Sequence, residues 1–77
     1  MKLLIIEDNE NILSFLTRGF RDEECIVDTA TDGEEGEYLA SINHYDVIIL
    51  DWMMPYKNGL EVLKSLREKK LQLRLLC

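Results

Sequence analysis

Residues 2 to 6, KLLII, form an apolar run closed by the acidic pair Glu7-Asp8, and residues 47 to 50, VIIL, repeat the pattern with Asp51 at the end. Runs that are apolar at successive positions are what a parallel sheet covered on both faces requires, so both segments are read as buried strands. Residues 25 to 30, CIVDTA, are less apolar but include β-branched Ile26, Val27 and Thr29, and give a further strand. Between the first two strands in chain order, Ile12, Phe15, Leu16, Gly19 and Phe20 recur at helical spacing with polar Asn11, Ser14, Thr17 and Arg18 between them. That periodicity predicts an amphipathic helix over about residues 9 to 21. The segment TDGEEGEYLASI opens with Asp32-Gly33 as a cap and places Glu34 and Glu35 in a first turn, where the helix dipole favours acids. With Leu39 and Ile42 turned inward, it predicts a second helix over about 33 to 43. Asn58 followed by Glu61 makes a start like a capping box, and Leu60, Leu63 and Leu66 line one face of a third helix running to about Lys69.

The resulting order, β-α-β-α-β-α, defines the fold class as α/β, with a parallel sheet, right-handed crossovers and helices on both faces. In open sheets of this kind, ligands and chemistry collect at the carboxyl ends of the strands, around the point where strand order reverses. Glu7, Asp8 and Asp51 all stand at such ends. If the first and third strands are neighbours, three carboxylates meet in one crevice. The tail LQLRLLC, residues 71 to 77, alternates Gln72 and Arg74 with Leu71, Leu73 and Leu75. Two readings stand for it: a half-exposed edge strand, which would be a truncated or altered fourth strand, or a continuation of the third helix.

Length and charge narrow the possibilities. A chain of 77 residues makes one domain at most, and at that size folding buries little more than ~60% of the surface the unfolded chain exposes. Fifteen acidic residues against nine basic ones give a net charge of −6, with only the short REKK cluster at 67 to 70. Direct nucleic-acid binding by this chain is therefore not expected, since phosphate neutralisation supplies most of that affinity. No apolar run approaches the ~20 residues a membrane span needs, and no signal-peptide pattern follows Met1, so the expected location is the cytoplasm. Cys25 and Cys77 form no redox or metal-ligand motif; Cys25 is read as a small packing residue and Cys77 as a free thiol.

Three neighbouring carboxylates repel one another, and keeping all of them ionised calls for a cation. Mg²⁺ takes oxygen ligands and keeps several waters, so one or two carboxylates and a backbone carbonyl suffice. The competing reading is that acids after strands only solvate loops or face a helix N-terminus, since Asp8 and Asn9 also open a helix. The loop after Asp51 bears on the choice. Met53 and Met54 precede Pro55, and the residue before a proline is pushed towards extended geometry, so the strand cannot roll directly into a helix and Asp51 is left at a rim. Gly59 permits a close backbone approach before the third helix. An EF-hand starting at Asp8 fails, because the sixth position is Leu13 and not glycine. A nucleotide site fails for want of a Gly-rich loop after the first strand.

Glu7-Asp8 after the first strand, DGEEG opening the second helix and above all DWMMPYKNG at 51 to 59 resemble the receiver domain of bacterial two-component response regulators, a CheY-like, flavodoxin-like fold. MKLLIIEDN and the DWMMP loop are most similar to receivers of the winged-helix, OmpR-type transcription-factor class. The resemblance implies that Asp51 is the phosphoryl acceptor, that Glu7, Asp8 and Asp51 hold Mg²⁺, and that Met53 adds its backbone carbonyl to the metal. It implies a sensor histidine kinase as partner and a phosphoacceptor module that at most assists its own phosphorylation and dephosphorylation, not an enzyme. It also implies a Ser or Thr ending a fourth strand and a Lys ending a fifth, which no residue here matches, so residues 1–77 are read as a single incomplete receiver domain. Phosphorylation that is slow or absent, and a homodimer or higher oligomer formed through the unfinished sheet at the flank of VIIL and the 71 to 77 tail, are expected in consequence. The alternative function is a non-catalytic interaction or self-assembly module.

Overall fold

The computed structural model of the chain describes residues 1–51, 64 and 75–76. Its elements are β1 (Lys2–Ile6), α1 (Glu10–Asp22), β2 (Ile26–Ala30), α2 (Gly33–Ile42), β3 (Val47–Leu50) and β4 (Leu75–Leu76). The strands lie side by side in the order β2-β1-β3-β4, and every pairing is parallel. The chain thus starts in the middle of the sheet, adds β2 on one side and crosses to β3 on the other. This puts the reversal point between β1 and β3, with Ile6 opposite both Ala30 and Leu50.

Burial explains why β1 is apolar without alternation: Leu3, Leu4, Ile5 and Ile6 are all at most 1% exposed. Leu4 and Ile6 pack with Ala30, Ala40, Tyr45, Ile48 and Leu50 on the α2 face. On the opposite face Leu3, Ile5 and Val27 take Leu13, Leu16 and Phe20 of α1, with Cys25 against them as expected of a small packing residue. The helices therefore cover different faces, as the βαβ order requires.

Local chemistry sets the helix ends. Asn9 caps α1, its Oδ1 accepting from the N–H groups of Asn11 and Ile12 at 3.0 Å each. At the other end Glu24 adopts φ 64°, while its N–H donates to the Arg21 carbonyl at 2.9 Å and that of Cys25 to the Phe20 carbonyl at 3.0 Å. This is a Schellman termination with glutamate where glycine is the usual occupant. Asp32 caps α2 through Oδ1, which accepts from the Glu35 N–H at 2.8 Å.

Two details of the inward faces differ from the periodicity. In α1 the sheet receives Leu13, Leu16 and Phe20, whereas Ile12 is 47% and Phe15 77% exposed. The apolar positions span more of the helix circumference than one sheet face can cover, and the stripe nearest β1 and β2 is the one buried. In α2 Leu39 packs inward but Ile42 is 59% exposed, because the helix rests on the small residues Gly33, Gly36 and Ala40 and ends at Asn43 as the chain turns towards β3.

Of the two readings of the tail, the strand is the one observed at Leu75 and Leu76, which pair with Ile48 and Ile49. The flank of β3 expected to be open to another chain is occupied there within one chain. Lys64 is helical and exposed, within the span expected for the third helix. The rest of that helix, the Pro55 loop and Met53 lie outside the described residues.

Candidate metal centre at the carboxyl ends of the strands

Three strand ends are tied together by backbone hydrogen bonds just before the acidic residues begin. The Glu7 N–H donates to the Ala30 carbonyl and the Asp51 N–H donates to the Ile6 carbonyl, both at 3.0 Å. Parallel pairing thus holds β1 level with β2 on one side and with β3 on the other. Glu7 and Asp8 leave β1 where Asp51 leaves β3. Backbone hydrogen bonds to the sheet thus anchor Glu7 and Asp51, and Asp8 follows Glu7 in the bend that leads to α1.

As the sequence reading anticipated, Glu7, Asp8 and Asp51 converge: one carboxylate oxygen from each lies within 4.8 Å of the other two. Glu7 and Asp51 are half-buried and Asp8 is exposed. The Asn9 N–H donates to Glu7 Oε2 at 3.3 Å, which turns the Glu7 carboxylate back over the start of α1. Burial raises the Glu7 pKa from 4.5 to about 7, aided by a hydrogen bond with Asp51, another with Asp8 and the Asp51 charge, against the opposing effect of the Asn9 N–H. Burial first, and the facing carboxylates after it, thus favour the neutral form of Glu7.

The donor set suits a hard divalent ion. All three ligands are carboxylate oxygens, and two oxygens on one Mg²⁺ at ~2.1 Å lie at most about 4.2 Å apart. The three oxygens lie within 4.8 Å of one another, close enough for one such ion to draw its protein ligands from this cluster. The fourth expected donor, the Met53 carbonyl, is outside the described residues.

A cleft of about 220 Å³ opens beside the carboxylates, walled by Ile12 and Leu16 of α1 and by Ile49 and Leu50 of β3. Ile12 was read from the sequence as a core residue; its place in this wall was missed.

Residues 3–77 match the response regulator receiver domain as a family. The chain is 40% identical over 70 residues to the transcriptional regulatory protein HprR of Escherichia coli K12, a match that covers 91% of this chain and 31% of HprR. It is 41% identical over 69 residues to the response regulator ArlR of Staphylococcus aureus, over 90% of this chain and 32% of ArlR. It thus spans less than a third of either relative. Among solved structures, the receiver domain of the Francisella response regulator 1452 superposes with a TM-score of 0.91 at 36% identity, covering 96% of this chain and 61% of that one. The response regulator TrrA of Thermotoga maritima, in complex with Mg(2+)-BeF, superposes with a TM-score of 0.89 at 35% identity, covering 96% and 64%. With its fold, its acidic cluster and its sequence in agreement, the chain belongs to the response regulator receiver domain family, and its relatives are OmpR-type regulators.

Proposed function

We propose that the chain is a phosphoacceptor module of a two-component system, taking a phosphoryl group from a sensor histidine kinase onto Asp51 with Mg²⁺ held by Glu7, Asp8 and Asp51. The observation that carries this reading is the convergence of the three carboxylates at adjoining strand ends. TrrA, solved with Mg(2+)-BeF, supports the same ion here by similarity. In the proposed transfer an Asp51 oxygen attacks phosphorus, the P–N bond to the donor histidine breaks, and its electron pair stays on the imidazole nitrogen. Bound Mg²⁺ would neutralise charge on the nucleophile and on the phosphoryl oxygens.

The remaining work falls to the protein. The Ile6 carbonyl fixes the Asp51 backbone through its 3.0 Å hydrogen bond, and Asp51 sits beside the apolar cleft wall, which limits competing water. A cation held by Glu7 would compete with the proton that burial favours there. The chain acts as acceptor and not as a catalyst with turnover, in the cytoplasm where its kinase would present phosphohistidine. Among the described residues, no helix is long and apolar enough to cross a membrane.

Intact-mass measurement with a small acyl-phosphate donor tests the reading. Phosphorylation of the wild type that requires Mg²⁺ and disappears in Asp51→Asn is the expected result; labelling unchanged by Asp51→Asn would overturn it.

Self-association is a second reading, favoured by the exposure of Phe15 at 77% beside Ile12 at 47% on one side of α1. Two copies packing α1 against α1 about a two-fold axis would cover these side chains. Sedimentation over a dilution series should show a dimer that Phe15→Lys dissociates. A monomer at every concentration would remove this reading and leave the first untouched.

A further inference from the structure

We infer that the open edge of β2, with the flank of α1 beside it, is a docking surface for an extended peptide segment that carries an acid and a base four residues apart. Among the described residues β2 has β1 as its one neighbour and ends the sheet. The Ile26 N–H donates to the Met1 carbonyl at 2.9 Å and the Ala30 carbonyl accepts from the Glu7 N–H at 3.0 Å, so the even-numbered positions of β2 bond towards β1. Backbone groups alternate in direction along a strand, and those of Val27 and Thr29 therefore point to the open side. A further strand can pair with them there.

The α1 side of this edge is polar and carries a charge pattern. Glu10, Ser14, Thr17 and Arg21 recur at spacings of four, three and four residues and so share one flank of α1. With Arg18 and with Thr29 of β2 they wall a cleft of about 560 Å³, and none of them lines the cleft beside the carboxylates. Val27 packs with Leu3 and Ile5 on the α1 face, so alternate side chains of an added strand would enter this cleft. Glu10 opens α1, Arg18 and Arg21 lie in its last two turns, Asp22 ends it, and all four are exposed. From Glu10 to the arginines is about 12 to 16 Å along the helix axis, the reach of about four to five residues of extended chain. An even separation alone sends both side chains to one face, which sets the spacing at four. The side chains between them would lie on the other face, where Ile26 is 62% exposed and offers an apolar neighbour. The chain's own β2 does not meet this pattern, since Asp28 has Glu24 and Asp32 four residues to either side; the occupant is therefore a different chain and not a second copy.

Two fluorescein-labelled peptides, TEVTVKT and its charge-exchanged order TKVTVET, test this by fluorescence anisotropy against the 77-residue chain. One order should bind about fivefold more tightly than the other, the size expected of two exposed ion pairs. Because α1 runs opposite to β2, the acid leads in a segment parallel to β2 and the base leads in an antiparallel one. Glu10→Lys/Arg18→Glu/Arg21→Glu should invert the preference, an effect that loss of fold cannot produce. Thr29→Pro removes an N–H on the open side and keeps those that face β1, so it should weaken the preferred peptide about tenfold with circular dichroism unchanged. Binding of neither peptide, equal binding of both orders, a preference that survives the charge exchange, or full affinity in Thr29→Pro overturns the inference. So does a dimer in sedimentation that Thr29→Pro dissociates, since the edge would then belong to a second copy.

Discussion

The two ends of the sheet are built from the same strands and solve opposite electrostatic problems. At the amino end Lys2, Asn43, Tyr45 and Asp46 meet partners within the chain. The Lys2 N–H donates to Asp46 at 2.7 Å, the Lys2 ammonium reaches Asn43 at 3.4 Å and lies 5.2 Å over the Tyr45 ring, and the Tyr45 hydroxyl donates to Asp28 at 2.7 Å. Burial, then that hydrogen bond, hold the Tyr45 hydroxyl protonated well above its ordinary range. At the carboxyl end three acids face one another, and Glu7 keeps a proton that an isolated glutamate would lose near pH 4.5. At one end charge meets a partner of complementary chemistry. At the other the acidic side chains gather, and it is the end where the strand order reverses.

If this contrast is right, perturbations at the two ends should separate cleanly into function and stability. The largest effect belongs to Asp51→Asn, which should abolish phosphorylation as read by intact mass. By removing one of the facing charges it should also raise the melting temperature of the metal-free protein. Tyr45→Phe should do the reverse, costing about 2 kcal/mol in urea unfolding because it strips a hydrogen bond from a carboxylate, and leaving Mn²⁺ affinity unchanged. A shift in affinity would show that the two ends are coupled through the sheet.

The pH dependence sharpens the comparison further. The folded-state pKa of Glu7 lies above its usual 4.5, at about 7, so its contribution to stability is complete below pH 4.5 and is lost as pH rises to 7. Thermal melts of the metal-free chain should therefore show a fall in stability across that window. Saturating Mg²⁺ should flatten it, since the cation replaces the proton. The smallest expected change is at the turn entering β2: Glu24→Gly relieves the φ of 64° and should stabilise by up to ~1 kcal/mol in the same urea experiment, without moving metal affinity.

The apolar run KLLII, the run VIIL and the acids that end them were sufficient to give parallel strands and their order with the helices, because a strand buried on both faces leaves a direct trace in composition; that Glu7, Asp8 and Asp51 converge depended on β1 and β3 being neighbours, which the sheet order supplies. The caps at Asn9 and Asp32 were legible for a similar reason, being local hydrogen bonds between residues two or three apart. The inward face of α1 was not legible: Ile12 and Phe15 are as apolar as Leu13 and Phe20, and only the position of β1 and β2 beneath the helix decides which are covered. The same holds for Tyr45 and Asp28, 17 residues apart in sequence, and for Gly36 and Ile6, whose contact depends on how closely a helix approaches a strand. Even at the site, the sequence named the carboxylates that stand at strand ends, whereas their meeting and the raised pKa of Glu7 follow from burial and distance, which exist only once the strands are side by side.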